Sequence, residues 1–259
     1  MPVLFIAHGS PMIALEESPY TTFLDRLSES VPPPKAIVIF SAHWEEAVQT
    51  VNGAARLETM YDFGGFPDAL YQVRYNPPGD PALAQRVGSL LAAAGVQHRV
   101  EANRALDHGV WTILHRVFPA QTVPVVELSV CAQLTPPEQY AIGRALSPLR
   151  DEGVLIVASG VTVHNFAMMR FARDDGQAAP WAEAFEAWLD DAVLHWQLDD
   201  LFNYAERAPE ADKAVPPRAR EHFVPLLYAA GAADATRQAR VLYRDFPWGV
   251  MSNTVYRFD

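Results

Sequence analysis

Three histidines follow short apolar segments that predict buried strands. His8 comes directly after residues 3–7, His43 comes shortly after residues 36–40, and His164 comes shortly after residues 154–158. Imidazole nitrogens bind transition metals, and their pKa near neutrality lets them exchange protons at physiological pH. Because ligands bind at the carboxyl ends of strands in open α/β sheets, these histidines predict one shared metal or acid–base site.

Two further histidines precede predicted helices, and the residues alone leave their roles open. Asp107 could cap a helix that begins just after it, which would place His108 in the first turn of that helix. There His108 could bind to the backbone, or it could face the pocket as a proton donor. Pro225 suits the first turn of another helix. Glu221 and His222 lie just ahead of it, and either side chain could bind a metal or cap the helix.

The remaining three histidines are better explained as structural residues. His115 lies within an apolar helical segment, His195 lies on the polar side of a tryptophan-rich helix, and His98 follows a turn. We therefore expect none of them at the site.

Strands and helices must alternate to bring these histidines together. Apolar runs without polar alternation predict strands buried on both faces, and they occur at residues 3–7, 36–40, 123–130 and 154–158. Helical patterns lie between most of them. One is opened by Asp80 and Pro81, and another by the capping box of Thr135 and Glu138. Pro148 should introduce a kink into the second of these helices. Two more strands, at residues 241–244 and 250–258, could pair antiparallel. The prediction is an α/β fold over residues 1–259, a single domain whose central mixed β-sheet is flanked by helices on both faces, with the active site at the carboxyl ends of its strands.

Composition excludes several classes of partner. The chain has 259 residues, a formal net charge of −11 and no cluster of Lys and Arg, so we expect no binding to nucleic acid or to anionic membranes. No apolar run approaches the roughly 20 residues that span a bilayer. The single cysteine, Cys131, rules out an internal disulfide. A cytoplasmic protein is the expectation, and the sequence does not indicate an oligomeric state.

Six groups of residues, in order along the chain, resemble the class III extradiol ring-cleavage dioxygenases of the LigB superfamily, in the branch of the DOPA 4,5-dioxygenases. The resemblance runs nearly end to end. It rests on His8-Gly9-Ser10-Pro11-Met12, Ser41-Ala42-His43-Trp44, Asp62-Phe63-Gly64-Gly65-Phe66-Pro67 with Leu70-Tyr71, Asp107-His108-Gly109, Ser159-Gly160 with His164-Asn165, and Glu221-His222-Phe223 with Pro225-Leu226.

The resemblance implies a role for each matching histidine. His8, His43 and His222 would hold a non-haem Fe(II), His164 would be the catalytic base, and His108 would be an acid that contacts the substrate. Other branches of the superfamily have a glutamate as third ligand, which keeps Glu221 as a further candidate. The implied substrates are a small aromatic diol and O2, both of whose atoms would enter a muconic semialdehyde-type product.

Two departures from the family pattern bear on the substrate. Tyr61 stands where members often have histidine, and the segment before His222 lacks a pattern associated with DOPA-cleaving members. The resemblance therefore leaves open whether the substrate is DOPA, a DOPA-like compound or another catechol. Apolar walls for an aromatic ring could come from Trp44, Phe63, Phe66 and Tyr71, and a substrate carboxylate could be bound by Arg170 or Arg173.

Two other functions remain open for the same histidines. Three histidines and a water also form the catalytic zinc site of hydrolases, and Zn(II) could occupy the ligands in purified protein. A non-catalytic Memo-like metal-binding protein is the second alternative. The presence of both His108 and His164 speaks against it, because a pure binding protein has no need of acid–base groups.

Overall fold

The apolar segments are strands of one mixed sheet in the computed structural model, which describes residues 1–171 and 177–259, with only the backbone at 170 and 171. In chain order the strands of this described part are β1 Val3–Ala7, β2 Ala36–Glu45, β3 Gln49–Asn52, β4 His98–Glu101, β5 Val125–Val130, β6 Val154–Gly160, β7 Ala239–Tyr243 and β8 Val255–Phe258. Their order across the sheet is β4-β3-β5-β2-β6-β1-β8-β7.

The four central strands are parallel, and an antiparallel pair joins them to the strands at each margin. β5, β2, β6 and β1 run parallel, with Val3 opposite Ile156 and Ala7 opposite Gly160. β3 is antiparallel to β5, and β8 is antiparallel to both β1 and β7. Because β1 and β6 end side by side, residues that follow Ala7 and Gly160 emerge at the same edge of the sheet.

Helices cover both faces of the sheet, as the strand burial requires. Those in the described residues are α1 Pro19–Leu27, α2 Pro81–Ala93, α3 His108–Val117, α4 Pro136–Ala145, α5 Pro180–Leu194, α6 Leu198–Phe202, α7 Tyr204–Arg207, α8 Ala211–Ala214 and α9 Val224–Ala232. Alternate residues of β1 enter two different cores: Val3 and Phe5 pack with α2, α4, α5 and α9, whereas Leu4 and Ile6 pack with α1 and α3. The predicted α/β fold, with one mixed sheet between two helical layers, is confirmed.

Local signals set several helix ends. The Asp80 carboxylate accepts a hydrogen bond from the Leu83 amide, and Thr135 and Glu138 form the expected capping box. In contrast, Asp107 precedes α3 without capping it through its side chain. None of the helices in the described ranges has both the length and the apolar character that a bilayer crossing requires.

The structure differs from the prediction in three places. β3 and β4 were not predicted, because their residues are largely polar and only tertiary pairing selects them as strands. Pro148 does not kink α4, since the helix already ends at Ala145 and a separate 3-10 turn covers Ser147–Arg150. β2 extends to Glu45 with an irregular register after Phe40, so His43 lies inside the strand and not after it.

Candidate functional site

His8, His43 and His222 meet at the carboxyl edge of the parallel strands. His8 follows β1 directly, and its amide donates a hydrogen bond to the carbonyl of Gly160. His222 precedes α9, and its carbonyl accepts a hydrogen bond from the amide of Val161 at 2.8 Å. A short loop before α9 is thereby held against the end of β6, which brings three histidines from distant parts of the chain together.

The Nε2 atoms of these three rings converge on one point. The distance from His8 Nε2 to His43 Nε2 is 3.0 Å, and that from His43 Nε2 to His222 Nε2 is 3.3 Å. Their ring centroids form a nearly equilateral triangle, with sides of 4.8, 4.9 and 5.1 Å, and no two of the rings are parallel.

This geometry fits a single transition-metal ion. Metal–nitrogen bonds of about 2.1 Å at angles between 90° and 110° place donor atoms about 3.0 to 3.4 Å apart. Imidazole is a ligand common to iron and zinc, so the donor atoms accommodate either ion and do not choose between them.

Hydrogen bonds determine which nitrogen each ring turns to the centre. Ser159 has one hydroxyl hydrogen, which it donates to the carbonyl of Gly109 at 2.5 Å. Its oxygen must therefore accept from Nδ1–H of His8, 3.0 Å away, and this leaves a lone pair on His8 Nε2. The Glu221 carboxylate accepts from Nδ1–H of His222 in the same way, at 3.0 Å. Carboxylate or backbone partners of this kind orient metal-binding histidines, and Glu221 lies on the side of the ring away from the other Nε2 atoms.

His108 lies beside this centre and is held by a carboxylate. Asp62 accepts hydrogen bonds from both the amide and Nδ1 of His108, each at 2.9 Å. These hydrogen bonds lower the pKa of Asp62 even though its burial opposes the shift. With Nδ1–H donated to Asp62, His108 has Nε2 free to exchange a proton in the cavity.

His108 could also be grouped with His8 and His43 as a third ligand, because ring nitrogens of these three residues lie within 4.8 Å of one another. The ring geometry favours His222 for this position. The His108 and His43 rings are tilted by 46° with centroids only 3.8 Å apart, whereas the rings of His8, His43 and His222 keep their centroids 4.8 to 5.1 Å apart around the converging Nε2 atoms.

His164 lies against His222, whereas His108 lies against His43. Its ring stacks on that of His222 with centroids 3.8 Å apart and planes within 7° of parallel. Its amide donates to the carbonyl of Ala214, which holds the residue in place. All five histidines singled out from the sequence thus line one cavity.

Burial keeps four of these imidazoles neutral, those of His8, His43, His164 and His222. Desolvation, together with the neighbouring histidines, lowers the pKa of His8 and of His222 well below the usual value. Burial likewise lowers the pKa of His43 to about 4 and that of His164 to about 3. Metal ligation requires neutral imidazole, so His8, His43 and His222 are in the protonation state that binds an ion.

The cavity has a volume of about 630 Å³, enough for an aromatic ring and a side chain. Of the four aromatic residues proposed as walls, Phe63 and Phe66 line it and Trp44 and Tyr71 do not. Tyr61 stands behind Phe63, with its hydroxyl bound to the carbonyl of Val73. The Arg170 side chain and Arg173 lie outside the described residues.

Sequence reasoning missed several residues at the site. Asp62 and Ser159 lie within the quoted motifs, but neither is a sequence neighbour of the histidine that it contacts. Phe166, Trp248 and Asp245 also line the cavity but belong to no recognisable motif. His98, His115 and His195, interpreted as structural, do not line it.

Comparisons with known proteins agree with this geometry. The family model of the catalytic LigB subunit of aromatic ring-opening dioxygenase matches residues 2–258. The chain is 40% identical to a 4,5-DOPA dioxygenase extradiol of Beta vulgaris, over 98% of this chain and 95% of that protein. It is 38% identical to a protein of the same name from Escherichia coli K12, over 97% and 92% of the two chains. The crystal structure of an uncharacterised protein from Escherichia coli K12 superimposes with a TM-score of 0.82 at 33% identity, covering all of both chains. The protein is an extradiol ring-cleaving dioxygenase and belongs to the LigB family of aromatic ring-opening dioxygenases.

Proposed function

We propose that this dioxygenase depends on Fe(II) and opens the ring of a DOPA-like catechol beside its two hydroxyl groups, giving a muconic semialdehyde-type product. The convergence of the His8, His43 and His222 Nε2 atoms carries the proposal, since these neutral donors would hold the iron. The names of the relatives at 37 to 40% identity support the substrate class.

When bound, Fe(II) supplies open coordination positions for a catechol and for dioxygen and the redox chemistry that joins them. The protein residues around it orient the ring and move protons. Phe63 and Phe66 offer apolar contact to an aromatic ring on the side of His108. Packing of the substrate ring against these side chains would exclude water from the face of the ring that reacts.

His164 and His108 have complementary roles in this proposal. His164 lines the cavity beside His222, and its neutral ring would accept the proton of a catechol hydroxyl. His108 donates Nδ1–H to Asp62, and the carboxylate stabilises the protonated ring. A proton on His108 Nε2 would then be available to the oxygen that leaves when the ring opens.

Oxygen uptake tests the proposal directly. The protein would be reconstituted anaerobically with Fe(II) and mixed with a panel of substituted catechols while oxygen and visible absorbance are followed. We expect stoichiometric uptake of oxygen with formation of a yellow product. If no catechol consumes oxygen despite one iron per chain, the zinc hydrolase or the non-catalytic metal-binding protein becomes the better description.

A further inference from the structure

The catalytic cavity carries negative charge at its outer part. Apart from the histidines, the charged side chains that line it are those of Glu16 and Asp245, and no Lys or Arg among the residues with described side chains does so. A ligand that enters the cavity therefore meets carboxylates and no described cation.

Asp245 is fixed in place by neutral donors. The Tyr243 hydroxyl donates to its Oδ2 at 2.6 Å, and the Asn253 side-chain amide donates to its Oδ1 at 2.8 Å. The adjacent Arg244 gives no compensation, because its guanidinium is paired with Glu186 and Asp190. The carboxylate is thus held rigidly with its charge unneutralised by any described cation, and each oxygen keeps a lone pair for a further donor.

Two aromatic side chains line the same cavity and are largely open to solvent. Phe166 is 69% exposed and Trp248 is 44% exposed. Trp248 adopts a left-handed backbone conformation, with φ of 54°, between Pro247 and Gly249. Such a conformation is unfavourable for a bulky residue and is retained where the surrounding structure imposes it, often at ligand sites. Aromatic faces attract cations, and carboxylates bind them more strongly.

We propose that this cavity selects catechols whose side chain carries an ammonium group, and that Asp245 is the residue that determines this specificity. The proposal rests on the proposed catechol-cleaving function. The two ring oxygens would lie at the metal that the histidines hold, and the side chain of the substrate would extend towards Asp245 and the aromatic pair of Phe166 and Trp248. A carboxylate in place of the ammonium group would be repelled by Asp245 and Glu16.

Three catechols that differ only in their 4-substituent test the charge preference: 4-(2-aminoethyl)catechol, 4-ethylcatechol and 3-(3,4-dihydroxyphenyl)propionate. With the Fe(II)-loaded protein at pH 7, we expect kcat/KM for the aminoethyl compound to exceed that for the ethyl compound by about 10-fold to 100-fold, the range of a charge-assisted hydrogen bond. The propionate should be the poorest of the three. Calorimetric binding of the same compounds to protein loaded with redox-inert Zn(II) should give the same order.

The variant Asp245→Asn assigns the preference to one residue. The ratio between the aminoethyl and ethyl compounds should fall at least several-fold. Glu17→Gln is the matched control, because Glu17 is a neighbouring carboxylate that does not line the cavity and contacts Arg116 instead. This control should keep the wild-type ratio.

Opposite results would overturn the proposal. Equal kcat/KM and equal affinity for the aminoethyl and ethyl compounds, or a preference for the propionate, would show that the cavity does not recognise a cation. An unchanged ratio in folded Asp245→Asn would remove Asp245 from the argument. If none of the three is oxidised, the proposed function fails, and the affinities for the Zn(II)-loaded protein still decide the charge preference.

Discussion

The carbonyl oxygen of His222 lies so close to Gly160 that a Cβ atom on this glycine would come within 2.3 Å of it. Glycine is therefore needed at the end of β6 because of the close approach of another main chain and not because of its own backbone angles. The contact joins the last residue of a central strand to the loop that presents His222.

The substitution Gly160→Ala should push this loop away and disturb the metal centre. We expect a loss of stability of about 1 to 3 kcal/mol, typical of overpacking, together with weaker binding of Zn(II) or Fe(II). Gly79→Ala is the matched control, since its Cβ would meet the Ala54 carbonyl at 1.8 Å near the amino end of β5. Urea unfolding should show both variants destabilised, whereas competition with a chromophoric chelator should show weakened metal binding in Gly160→Ala alone.

Ser159 should strengthen metal binding by fixing the orientation and tautomer of His8. In Ser159→Ala, Nδ1–H of His8 loses its acceptor, and we expect metal affinity to fall by about 10-fold to 100-fold. Ser129→Ala serves as control. Ser129 is equally buried and also hydrogen-bonded, but it lies on β5 beside Gln49 and Thr50 of β3. Equal metal affinity in the two variants would contradict a specific role for Ser159.

The choice between His222 and His108 as third ligand can be tested by paired substitutions. His222→Ala should lose tight, stoichiometric metal binding, whereas His108→Ala should keep it and lose turnover. Metal content after dialysis against a weak chelator is the measurement. The reverse pattern would show that His8, His43 and His108 form the ligand set.

His164→Gln should separate chemistry from metal binding. His164 stacks on His222, and no described hydrogen bond joins its ring nitrogens to the Nε2 atoms of His8, His43 or His222. Metal content should therefore stay at one ion per chain. We expect kcat to fall by about 10²-fold to 10⁴-fold, the usual contribution of a general base. His195→Gln, at the exposed end of α5, should leave both quantities unchanged. Full turnover in His164→Gln would remove His164 from the mechanism.

The sequence predicted those parts of the molecule that depend on local pattern. Strands buried on both faces and histidines just after them follow from a few consecutive residues, and so the sheet centre and His8 were placed correctly. β3 and β4 depend on pairing between Gln49 and His98 and their neighbours, which no local pattern encodes.

Long-range contacts explain what was missed at the site as well. The role of Asp62 depends on a hydrogen bond across 46 residues, and that of Ser159 on one across 151 residues. Asp245 and Trp248 reach the cavity only because the segment before β8 folds back over it. Residue types show what chemistry is available, whereas these contacts decide which atoms face the substrate.

A buried carboxyl group outside the cavity gives a prediction about stability and pH. Glu127 on β5 is fully buried, and its Oε2 has no hydrogen-bond partner among the described residues. Burial, together with the adjacent Asp107, raises the pKa of Glu127 well above its usual value, and Arg104 opposes the shift. The folded protein therefore holds the proton on Glu127 to a higher pH than the unfolded chain does.

The sign of the effect follows from this difference in proton binding. The contribution of Glu127 to stability is complete below the unfolded pKa and decreases as pH rises towards the folded pKa, by about 1.4 kcal/mol for each pH unit. Glu127→Gln resembles the protonated side chain and cannot ionise. The stability of Glu127→Gln relative to the wild-type protein should therefore increase from pH 5 to pH 8, as measured by urea unfolding at each pH. Because the two proteins share all their other titrating groups, the difference between them isolates Glu127.

Glu152→Gln is the control. This exposed carboxylate pairs with Arg86, which lowers the pKa of Glu152, and its contribution to stability is therefore constant over the same pH range. A Glu127→Gln difference that does not change with pH would mean that Glu127 is ionised in the folded protein, with Arg104 compensating its charge.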